Sequence, residues 1–374
     1  MCLGAEITRM IIGIPREIKS GEGRVALAPG GVRTLHALGA TVRVEAGAGT
    51  ASGFDDAAYA DAGATIVPTA AQAFNAELVV KVKEIQPGEW QHLRPGQILF
   101  SFLHLGADPR MAQELLERRI TGIAFETVAD KAGGLPILAP MSALAGEMAL
   151  PIAASLLASS DGSKKILREA VVLVLGAGAA GAAAARTAIA LGAAVTVVAK
   201  SDRRLAMLRA EFGSHIRTLT IANADLPQLA RSADVVIGAV NVPGAASPTL
   251  LTRRNIAAMR RGSVLIDICI DGGGTAETSR ATTLAAPTYI DEGVIHYGVP
   301  NMPAAAPRAA SEKISTAILP YITSLLQQGL LHAMRDNDGL LAGLQMHGGN
   351  ITHHKVAAQL GLPCLDLDAM LFAC

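Results

Sequence analysis

The chain has few aromatic residues, few cysteines and no excess of either charge. Aromatic residues make up only 3% of its 374 residues, and tryptophan occurs once. Lysine and arginine together number 32, and aspartate and glutamate also number 32. A balanced chain carries no excess basic charge with which to attract nucleic acid or an anionic membrane surface. We therefore expect neither as a partner.

The cysteines and histidines show no pattern typical of a disulfide framework or a metal site. No C-x-x-C spacing occurs among the four cysteines, which are Cys2, Cys269, Cys364 and Cys374. This usage is typical of reduced cysteines and predicts a cytoplasmic protein. His353 and His354 are adjacent, which is poor geometry for chelating one ion from one element. We expect no metal.

No apolar stretch runs uninterrupted for the length of a membrane span. Residues 170–199 are apolar, but they contain four glycines and an arginine. Residues 137–157 contain two prolines and a glutamate. Both stretches are better explained as buried α/β core than as membrane helices. The apolar run at the N-terminus is too short for a signal peptide.

Short apolar runs alternate with helix-like stretches along the chain. The predicted strands are 10–14, 41–45, 78–82, 98–103, 120–125, 171–175, 194–198, 216–221, 234–240, 264–270 and 294–299. The predicted helices include 29–38, 108–118, 141–157 and 311–331. This alternation predicts parallel sheets covered by helices on both faces. The length suits two domains.

The stretch from Val171 to Ala199 carries the most specific motif. A buried strand runs into Gly176, Gly178 and Gly181, then into an alanine-rich helix and a second strand. In this G-x-G-x-x-G arrangement the glycines permit a tight turn, backbone approach to a diphosphate and close helix packing. The diphosphate would lie at the helix N-terminus, near Ala179 and Ala180. The motif predicts dinucleotide binding.

The end of the second strand departs from the usual pattern for this motif. A carboxylate there normally accepts the ribose hydroxyls and repels a 2′-phosphate, but this chain has Ala199. The following residues are Lys200, Ser201, Asp202, Arg203 and Arg204. Three added cations and a missing acid favour NADP(H). NAD(H) stays possible, because the same residues could form a charged first helical turn capped by Asp202.

We therefore predict two doubly wound, Rossmann-like α/β domains with parallel sheets. Residues 1–137 and 312–374 would form a catalytic domain, and residues 138–311 would bind the dinucleotide. Long crossing helices would join the two domains, and the active site would occupy a cleft between them. A polar segment, residues 159–165, would precede the dinucleotide-binding strand.

Polar residues follow several predicted strands directly. Lys83, His104, Glu126 and Asp271 each lie at or just beyond the end of an apolar run, and Arg24 lies in the loop after the first strand. Ligands of parallel α/β sheets bind beyond the carboxyl ends of the strands. Each residue alone is more often a surface charge or a structural histidine. Together they indicate binding of a carboxylate, polarisation of a carbonyl and proton transfer.

At these positions the sequence resembles the alanine dehydrogenase family, within the superfamily that includes the nucleotide-binding subunit of transhydrogenase. The matching segments are IGIPREIKSGEGRVALAPGGV, ELVVKVKE, GQILFSFLHL, FETV, LPILAPMS, AGEMA, IDICIDGGG and VPNMPAAAP. The resemblance extends over nearly the whole chain, from about Met10 into the C-terminal THHKVAAQLGLP segment. The pairing of KVKE with FLHL favours the dehydrogenase over the transhydrogenase subunit.

The resemblance implies reversible oxidative deamination of a small L-amino acid, such as alanine, to its 2-oxo acid and ammonia. Arg24 would hold the substrate carboxylate bidentately, and Lys83 would bind the carboxylate or oxo group. His104 would exchange the proton, and Asp271 would orient or activate water or ammonia. The nicotinamide would accept the hydride directly, so that no metal is needed.

Further residues are placed near substrate or cofactor by the same resemblance. Glu126, Met141 and Ser142 would line the cleft, with Ser142 nearest the cofactor. Asn301 would lie near the nicotinamide, together with the segment containing Val240 and Asn241. The chain also departs from the family pattern: Ala199 lacks the acid, Asn241 replaces an apolar residue, Gly272 replaces a glutamine, and the loop between domains is shorter.

These departures keep two other hypotheses open. With an amine in place of ammonia, the enzyme would be an NADPH-dependent imine reductase or N-alkyl amino-acid synthase, and Gly272 would enlarge its pocket. Alternatively, the chain could be a non-catalytic, transhydrogenase-like nucleotide-binding module. The retained Lys83, His104 and Asp271 argue against the second hypothesis. The resemblance further implies a homo-oligomer, from dimer to hexamer.

Overall fold

The computed structural model describes residues 10–159, 165–240 and 246–367. Asn241 and most of the polar segment 159–165 lie outside these ranges. The chain divides into two compact units, Met1–Pro140 with Ala306–Cys374, and Met141–Ala305. Each unit is built on one sheet with helices alternating between its strands, so the predicted two-domain α/β class is confirmed.

The strands of the described residues agree well with the apolar runs in the sequence. They are β1 (Ile11–Ile14), β2 (Thr41–Glu45), β3 (Thr65–Val67), β4 (Leu78–Val80), β5 (Ile98–Ser101), β6 (Thr121–Ala124), β7 (Val171–Leu175), β8 (Ala194–Ala199), β9 (Ile216–Thr220), β10 (Val235–Gly238), β11 (Val264–Asp267), β12 (Thr288–Asp291), β13 (Val294–Tyr297), β14 (Leu344–His347) and β15 (Asn350–Ile351). The strands β3, β12, β14 and β15 were not predicted.

The helices connect the strands in the alternating manner expected. They are α1 (Pro29–Ala37), α2 (Asp56–Asp61), α3 (Ala70–Phe74), α4 (Pro109–Glu117), α5 (Leu138–Ser159), α6 (Ala179–Ala190), α7 (Asp202–Phe212), α8 (Leu226–Ser232), α9 (Arg253–Ala257), α10 (Pro307–Asp336), α11 (Asp338–Gly343) and α12 (His354–Leu360). The last predicted helix, 311–331, is longer in the structure. It is interrupted at Gly329, whose φ of 73° and ψ of 170° are not helical.

In the first unit the sheet has the order β15-β14-β6-β5-β4-β1-β2-β3. Strands β1 to β6 pair in parallel, as predicted. Every residue of β4, β5 and β6 is buried, because helices cover both faces of a parallel sheet. The prediction of a purely parallel sheet is wrong at one edge, where β14 and β15 are antiparallel.

In the second unit the sheet has the order β12-β13-β11-β10-β7-β8-β9 and is parallel except for β12. In both sheets the outermost strand is joined to its antiparallel neighbour by a two-residue hairpin turn. Gly348 and Gly349 have φ of 58° and 90°, and Glu292 and Gly293 have φ of 51° and 79°. Two successive left-handed residues match the right-handed twist of the flanking strands. The glycines at these turns were the sequence signal for the missed hairpins.

Helix α5 supplies much of the core of the second unit. Its residues Ala145, Ala149, Ala153 and Leu157, spaced four apart, are buried with the side chains of the sheet. Among the described residues, α5 is the one helix long and apolar enough to cross a membrane, a test that buried core helices also pass. This packing supports the interpretation of the stretch as core.

Close packing of glycine against backbone predicts a stability difference between two alanine variants. A Cβ on Gly13 would lie 1.9 Å from the carbonyl oxygen of Ala73, whereas a Cβ on Gly30 meets nothing within 4 Å. We expect Gly13→Ala to destabilise the protein by about 1–3 kcal/mol. Gly30→Ala, in the first turn of α1, should be neutral or stabilising by up to about 1 kcal/mol. Urea denaturation followed by circular dichroism measures both, and equal midpoints would contradict the packing argument.

Candidate active site

Four of the predicted site residues follow neighbouring strands of the first sheet. Arg24 follows β1, Lys83 follows β4, His104 follows β5 and Glu126 follows β6, and the sheet order places these strands side by side. Backbone pairing continues past the strand ends, since Phe102 N donates to Val82 O at 3.1 Å. The fold therefore gathers all four residues at one carboxyl edge of the sheet.

Arg24 is buried, and its guanidinium is already oriented by a carboxylate two residues before it. Its Nε donates to Glu22 Oε1 at 2.6 Å, and its Nη2 donates to Glu22 Oε2 at 2.5 Å. Burial disfavours ionisation of Glu22, but the hydrogen bonds and charge of Arg24 outweigh burial and hold the pKa of Glu22 below its usual value. Glu22 is thus the bidentate partner of Arg24 in this structure.

Hydroxyl groups fix the backbone on both sides of Arg24. Val25 N donates to Ser311 Oγ of α10 at 2.9 Å, and Ser52 Oγ donates to Gly23 O at 2.8 Å. The two hydroxyl oxygens of Ser52 and Ser311 are themselves 2.9 Å apart. Arg24 therefore lies on a loop whose position is set by buried hydrogen bonds.

Lys83 is half-buried in a cationic environment. Burial, and next the charge of Arg24, lower the pKa of Lys83 below its ordinary value, while Glu22 and Glu84 act in the opposite direction. Both main causes disfavour the ammonium form, because each penalises a positive charge. An amine in this setting can hold or release a proton closer to neutral pH than a surface lysine.

His104 has a strained backbone, with φ of 49° and ψ of 36°. The carboxylate of Glu126 stabilises this turn, because its oxygens accept from His104 N at 2.7 Å and from Leu103 N at 3.2 Å. The His104 ring lies parallel to Phe102, with ring centroids 6.0 Å apart, and half of the histidine side chain is exposed. Backbone strain of this kind concentrates at functional sites. Glu126, predicted to line the cleft, holds the His104 turn in this structure.

The second sheet places its own candidates at a carboxyl edge. Asp271 follows β11 and Asn301 follows β13, and these two strands are paired. Asn301 has a left-handed φ of 54°, and its N–H donates to Asp271 Oδ2 at 3.3 Å. Asp271 is exposed, so its carboxylate is accessible to a small polar molecule.

Asp267, at the end of β11, is a residue that the sequence analysis missed. It is buried and accepts from Thr275 N at 2.6 Å, Ser279 Oγ at 2.5 Å and Cys269 N at 3.2 Å. It therefore organises the loop that carries Asp271. An acid inside the apolar run VLID was the available signal. Burial raises the pKa of the Cys269 thiol to about 12, which leaves that cysteine unreactive.

Gly272 does not open space in this loop. A Cβ on Gly272 would lie 2.6 Å from Ser247 Oγ, and Ser247 N donates to Gly272 O at 2.8 Å. Ser247 fills the position that a side chain at residue 272 would take. The expectation that Gly272 enlarges a pocket is therefore wrong.

The glycine-rich turn fits a diphosphate. A Cβ on Gly176 would lie 2.3 Å from Ala239 O, and one on Gly181 would lie 2.0 Å from Gly176 O, so glycine is required at both. A Cβ on Gly178 would lie 3.6 Å from Arg204 Nη1, an ordinary van der Waals contact. Helix α6 begins at Ala179 without a side-chain cap, which leaves its first N–H groups for an anion.

One detail of the segment after β8 contradicts the sequence analysis, and it concerns the residue that caps α7. The N-cap of α7 is Ser201, whose hydroxyl accepts from Arg204 N at 3.4 Å, so the assignment of Asp202 as the cap is wrong. A hydroxyl accepts this bond well, and an acid suits the first helical position, where Asp202 lies. Asp202 pairs with Arg209 at 3.2 Å. Ala199 is buried and Lys200 is exposed.

The remaining predicted contacts lie in or near the second unit. Met141 is buried and Ser142 is half-buried in the early turns of α5. Val240 is half-buried just beyond β10, whereas Asn241 lies outside the described residues. Among the described residues, no group of three or more histidine, cysteine or acidic side chains could hold a metal ion.

The two sheets and the glycine-rich turn define a two-unit α/β protein of the dinucleotide-binding class. Sequence profiles for both halves of one family match the chain. The profile of the alanine dehydrogenase/PNT N-terminal domain matches residues 13–145, and that of the C-terminal domain matches residues 153–354. The chain belongs to the alanine dehydrogenase/PNT family, which confirms the resemblance seen in the sequence.

Individual relatives agree with this assignment. The chain is 43% identical over 370 residues to an alanine dehydrogenase of Bacillus subtilis, covering 97% of this chain and 98% of that protein. It matches a solved L-alanine dehydrogenase with a TM-score of 0.90 and 39% identity, covering 94% of this chain and 99% of the other. A transhydrogenase from Sinorhizobium meliloti matches with a TM-score of 0.79 and 26% identity, covering 92% and 99%.

The packing at Gly181 predicts a specific loss of dinucleotide binding. In Gly181→Ala the new methyl group must displace the Gly176 carbonyl and so distort the turn that would face the diphosphate. We expect the Kd of NADH or NADPH, measured by fluorescence titration, to rise about tenfold or more. Gly30→Ala, with open space around its Cβ, is the control. Unchanged affinity in Gly181→Ala would contradict the assignment of the turn.

Proposed function

We propose that this protein catalyses reversible, nicotinamide-dependent oxidative deamination of L-alanine to pyruvate and ammonia. The observation that carries the proposal is the edge of the first sheet, where Arg24, Lys83 and His104 follow neighbouring strands. Membership of the alanine dehydrogenase/PNT family and the fit of the glycine-rich turn to a diphosphate support it.

In this proposal the two cations of the edge bind the 2-oxo acid. Arg24 binds the substrate carboxylate, and its orientation by Glu22 keeps the guanidinium in place before substrate arrives. Lys83 donates to the oxo group and stabilises the negative charge that develops on its oxygen. The lowered pKa of Lys83 suits this role, since the proton it shares is held less tightly than in a surface lysine.

Proton transfer falls to His104 and Asp271. His104 exchanges protons as the carbinolamine and imine of the substrate interconvert, and the Glu126 carboxylate holds its turn in position. Asp271 orients the attacking water or ammonia, with the Asn301 N–H donating to its second oxygen. The bound nicotinamide supplies the hydride acceptor. Met141, Ser142, Val240 and Asn241 stay predicted contacts of substrate or cofactor.

We further propose that the cofactor is NADP(H). The support is chemical: Ala199 offers no carboxylate to repel a 2′-phosphate, and the exposed Lys200, Arg203 and Arg204 supply positive charge. Arg204 in addition reaches the glycine-rich turn, close to Gly178. Asp202, the acid of this segment, is paired with Arg209.

Self-association and a cytoplasmic location also belong to the proposal. The family resemblance implies a homo-oligomer of two to six subunits, and the cysteine usage is typical of a reducing compartment. Size-exclusion chromatography with light scattering gives the subunit number directly. A monomer at working concentration would contradict the first of these two statements.

Substitution of the edge residues tests the catalytic assignment. Lys83→Ala and His104→Ala should each lower kcat/KM with pyruvate, ammonia and reduced cofactor by about 10²–10⁴-fold, because each removes a proton-transfer or oxyanion-binding group. Cofactor affinity should not change. The exposed Lys131 and His354 provide the control variants Lys131→Ala and His354→Ala. Full activity in both edge variants would contradict the assignment.

Activity with alkyl amines but not ammonia would favour the imine-reducing alternative.

Initial rates with L-alanine and matched NAD or NADP test the cofactor proposal. We expect a higher rate with NADP, and Arg204→Ala should weaken NADPH binding about tenfold while NADH binding changes less, because a charge-assisted contact to the 2′-phosphate is lost. Arg231→Ala, which removes an exposed arginine from the last turn of α8, is the control. Activity with NAD alone would refute the NADP proposal and leave the dehydrogenase proposal intact.

A further inference from the structure

A buried cluster of three charged residues lies next to Lys83 and takes no part in the chemistry proposed above. Lys81 Nζ is 3.0 Å from Glu17 Oε2 and 2.8 Å from Glu89 Oε1. The side chain of Lys81 is fully buried, and those of Glu17 and Glu89 are 3% and 4% exposed.

The two carboxylates of the cluster also hold the backbone of the segment that carries Lys83. Glu17 Oε1 accepts from Val82 N at 2.6 Å and from Lys83 N at 3.3 Å. Glu89 Oε2 accepts from Gln86 N at 2.8 Å. The segment from residue 81 to residue 86 is therefore held at several amides by two buried carboxylates.

Lys81 keeps these carboxylates in place. Burial alone would lower the pKa of Lys81, but Glu17 and Glu89 outweigh it and raise that pKa, so the ammonium stays charged. Burial is the main cause that raises the pKa of Glu17. A buried ion pair of this kind contributes little net stability compared with apolar residues of the same volume. The ion pairs instead fix geometry, because every carboxylate oxygen of Glu17 and Glu89 has a defined hydrogen-bond donor.

The same cluster joins Lys83 to the loop of Arg24. Glu17 lies in the loop that follows β1 and contains Arg24, whereas Lys81 and Lys83 follow β4. A second contact between these loops is the ion pair of Lys19 with Glu84. The two loops are therefore connected on both sides of Lys83. The charged groups that shift the pKa of Lys83 come from these same two loops; they are Arg24, Glu22, Lys19 and Glu84.

We propose that Glu17 is a positioning residue, which through its hydrogen bonds to the Val82 and Lys83 amides and its ion pair with Lys81 sets the Lys83 amine against the Arg24 guanidinium. The inference rests on the proposed function, in which these two cations bind one 2-oxo acid. Because two fixed cations match a carboxylate and its adjacent oxo group only at one spacing, Glu17 controls affinity for the oxo acid without touching it.

Glu45 provides a matched control. It is buried, with 8% exposure, and its Oε2 accepts from Arg16 N at 2.8 Å in the same loop that contains Glu17. In the described part of the chain, no hydrogen bond or ion pair joins Glu45 to residues 81–86. Glu45→Gln therefore changes a comparable buried carboxylate that holds the same loop, without altering the connection to Lys83.

The first measurement compares steady-state kinetics of Glu17→Gln and Glu45→Gln in the full-length protein. Glu17→Gln should raise the KM for pyruvate about tenfold or more, with a smaller change in kcat and an unchanged Kd for reduced cofactor. The alkaline rise of the pyruvate KM should move to higher pH, because a displaced Lys83 is farther from Arg24 and better solvated. Glu45→Gln should leave the KM for pyruvate and its pH dependence as in the wild type, even if it lowers the thermal stability as much as Glu17→Gln does.

A second measurement does not depend on activity. Labelling of Lys83 with acetic anhydride, followed by mass spectrometry across a pH series, reports the apparent pKa of this amine. We expect the pKa to rise toward the ordinary lysine value in Glu17→Gln and not in Glu45→Gln. If Glu17→Gln does not fold, Glu17→Asp, which keeps the charge and shortens the side chain by one methylene group, carries both measurements.

The outcomes separate this inference from the proposed function. An inactive wild-type protein with a selective change in Lys83 labelling would refute the proposed function and support the positioning role. An active wild-type protein in which Glu17→Gln and Glu45→Gln have the same KM for pyruvate and the same Lys83 labelling would overturn the positioning role and leave the proposed function standing.

Discussion

Parallel pairing of the strands is the constraint on which the arrangement of this protein depends. In the first sheet β6, β5, β4 and β1 run side by side in one direction, so the residues after their carboxyl ends must share an edge. Residues distant in the chain, such as Arg24 and Glu126, therefore lie at the same edge of the sheet. In the second sheet the same rule places the glycine-rich turn after β7 and Asp271 after β11 at a common edge.

Three loops at these edges are each held by a buried or half-buried carboxylate that accepts backbone N–H groups. Glu126 binds the amides of Leu103 and His104, Asp267 binds those of Cys269 and Thr275, and Glu17 binds those of Val82 and Lys83. Charge-assisted bonds to backbone can maintain loop conformations that local propensity does not favour, such as the left-handed turn at His104. Each of these carboxylates binds backbone amides of a neighbouring loop, a role that sequence position alone does not reveal.

Local patterns predicted most of the fold and part of the site. Short apolar runs located the parallel strands except β3, and G-x-G-x-x-G located the turn, because periodicity and glycine chemistry depend on neighbouring residues. The antiparallel outer strands of the two sheets were not predicted, although Gly348 and Gly349 indicated a hairpin. Ser201 rather than Asp202 caps α7, a difference of one residue that depends on where the helix begins. The space at Gly272 is filled by Ser247, which is distant in sequence.

By itself the sequence determined which residue types follow which strands, and hence the family, the dinucleotide turn and the four polar residues of the first edge. Only the tertiary structure decided what each of them contacts. Glu22 forms a bidentate pair with Arg24, Glu126 binds the backbone at His104, and Lys81 is enclosed between Glu17 and Glu89. The physical reason is that strand periodicity and turn chemistry are local, whereas burial and hydrogen-bond partnership depend on segments that meet only when the sheet has formed.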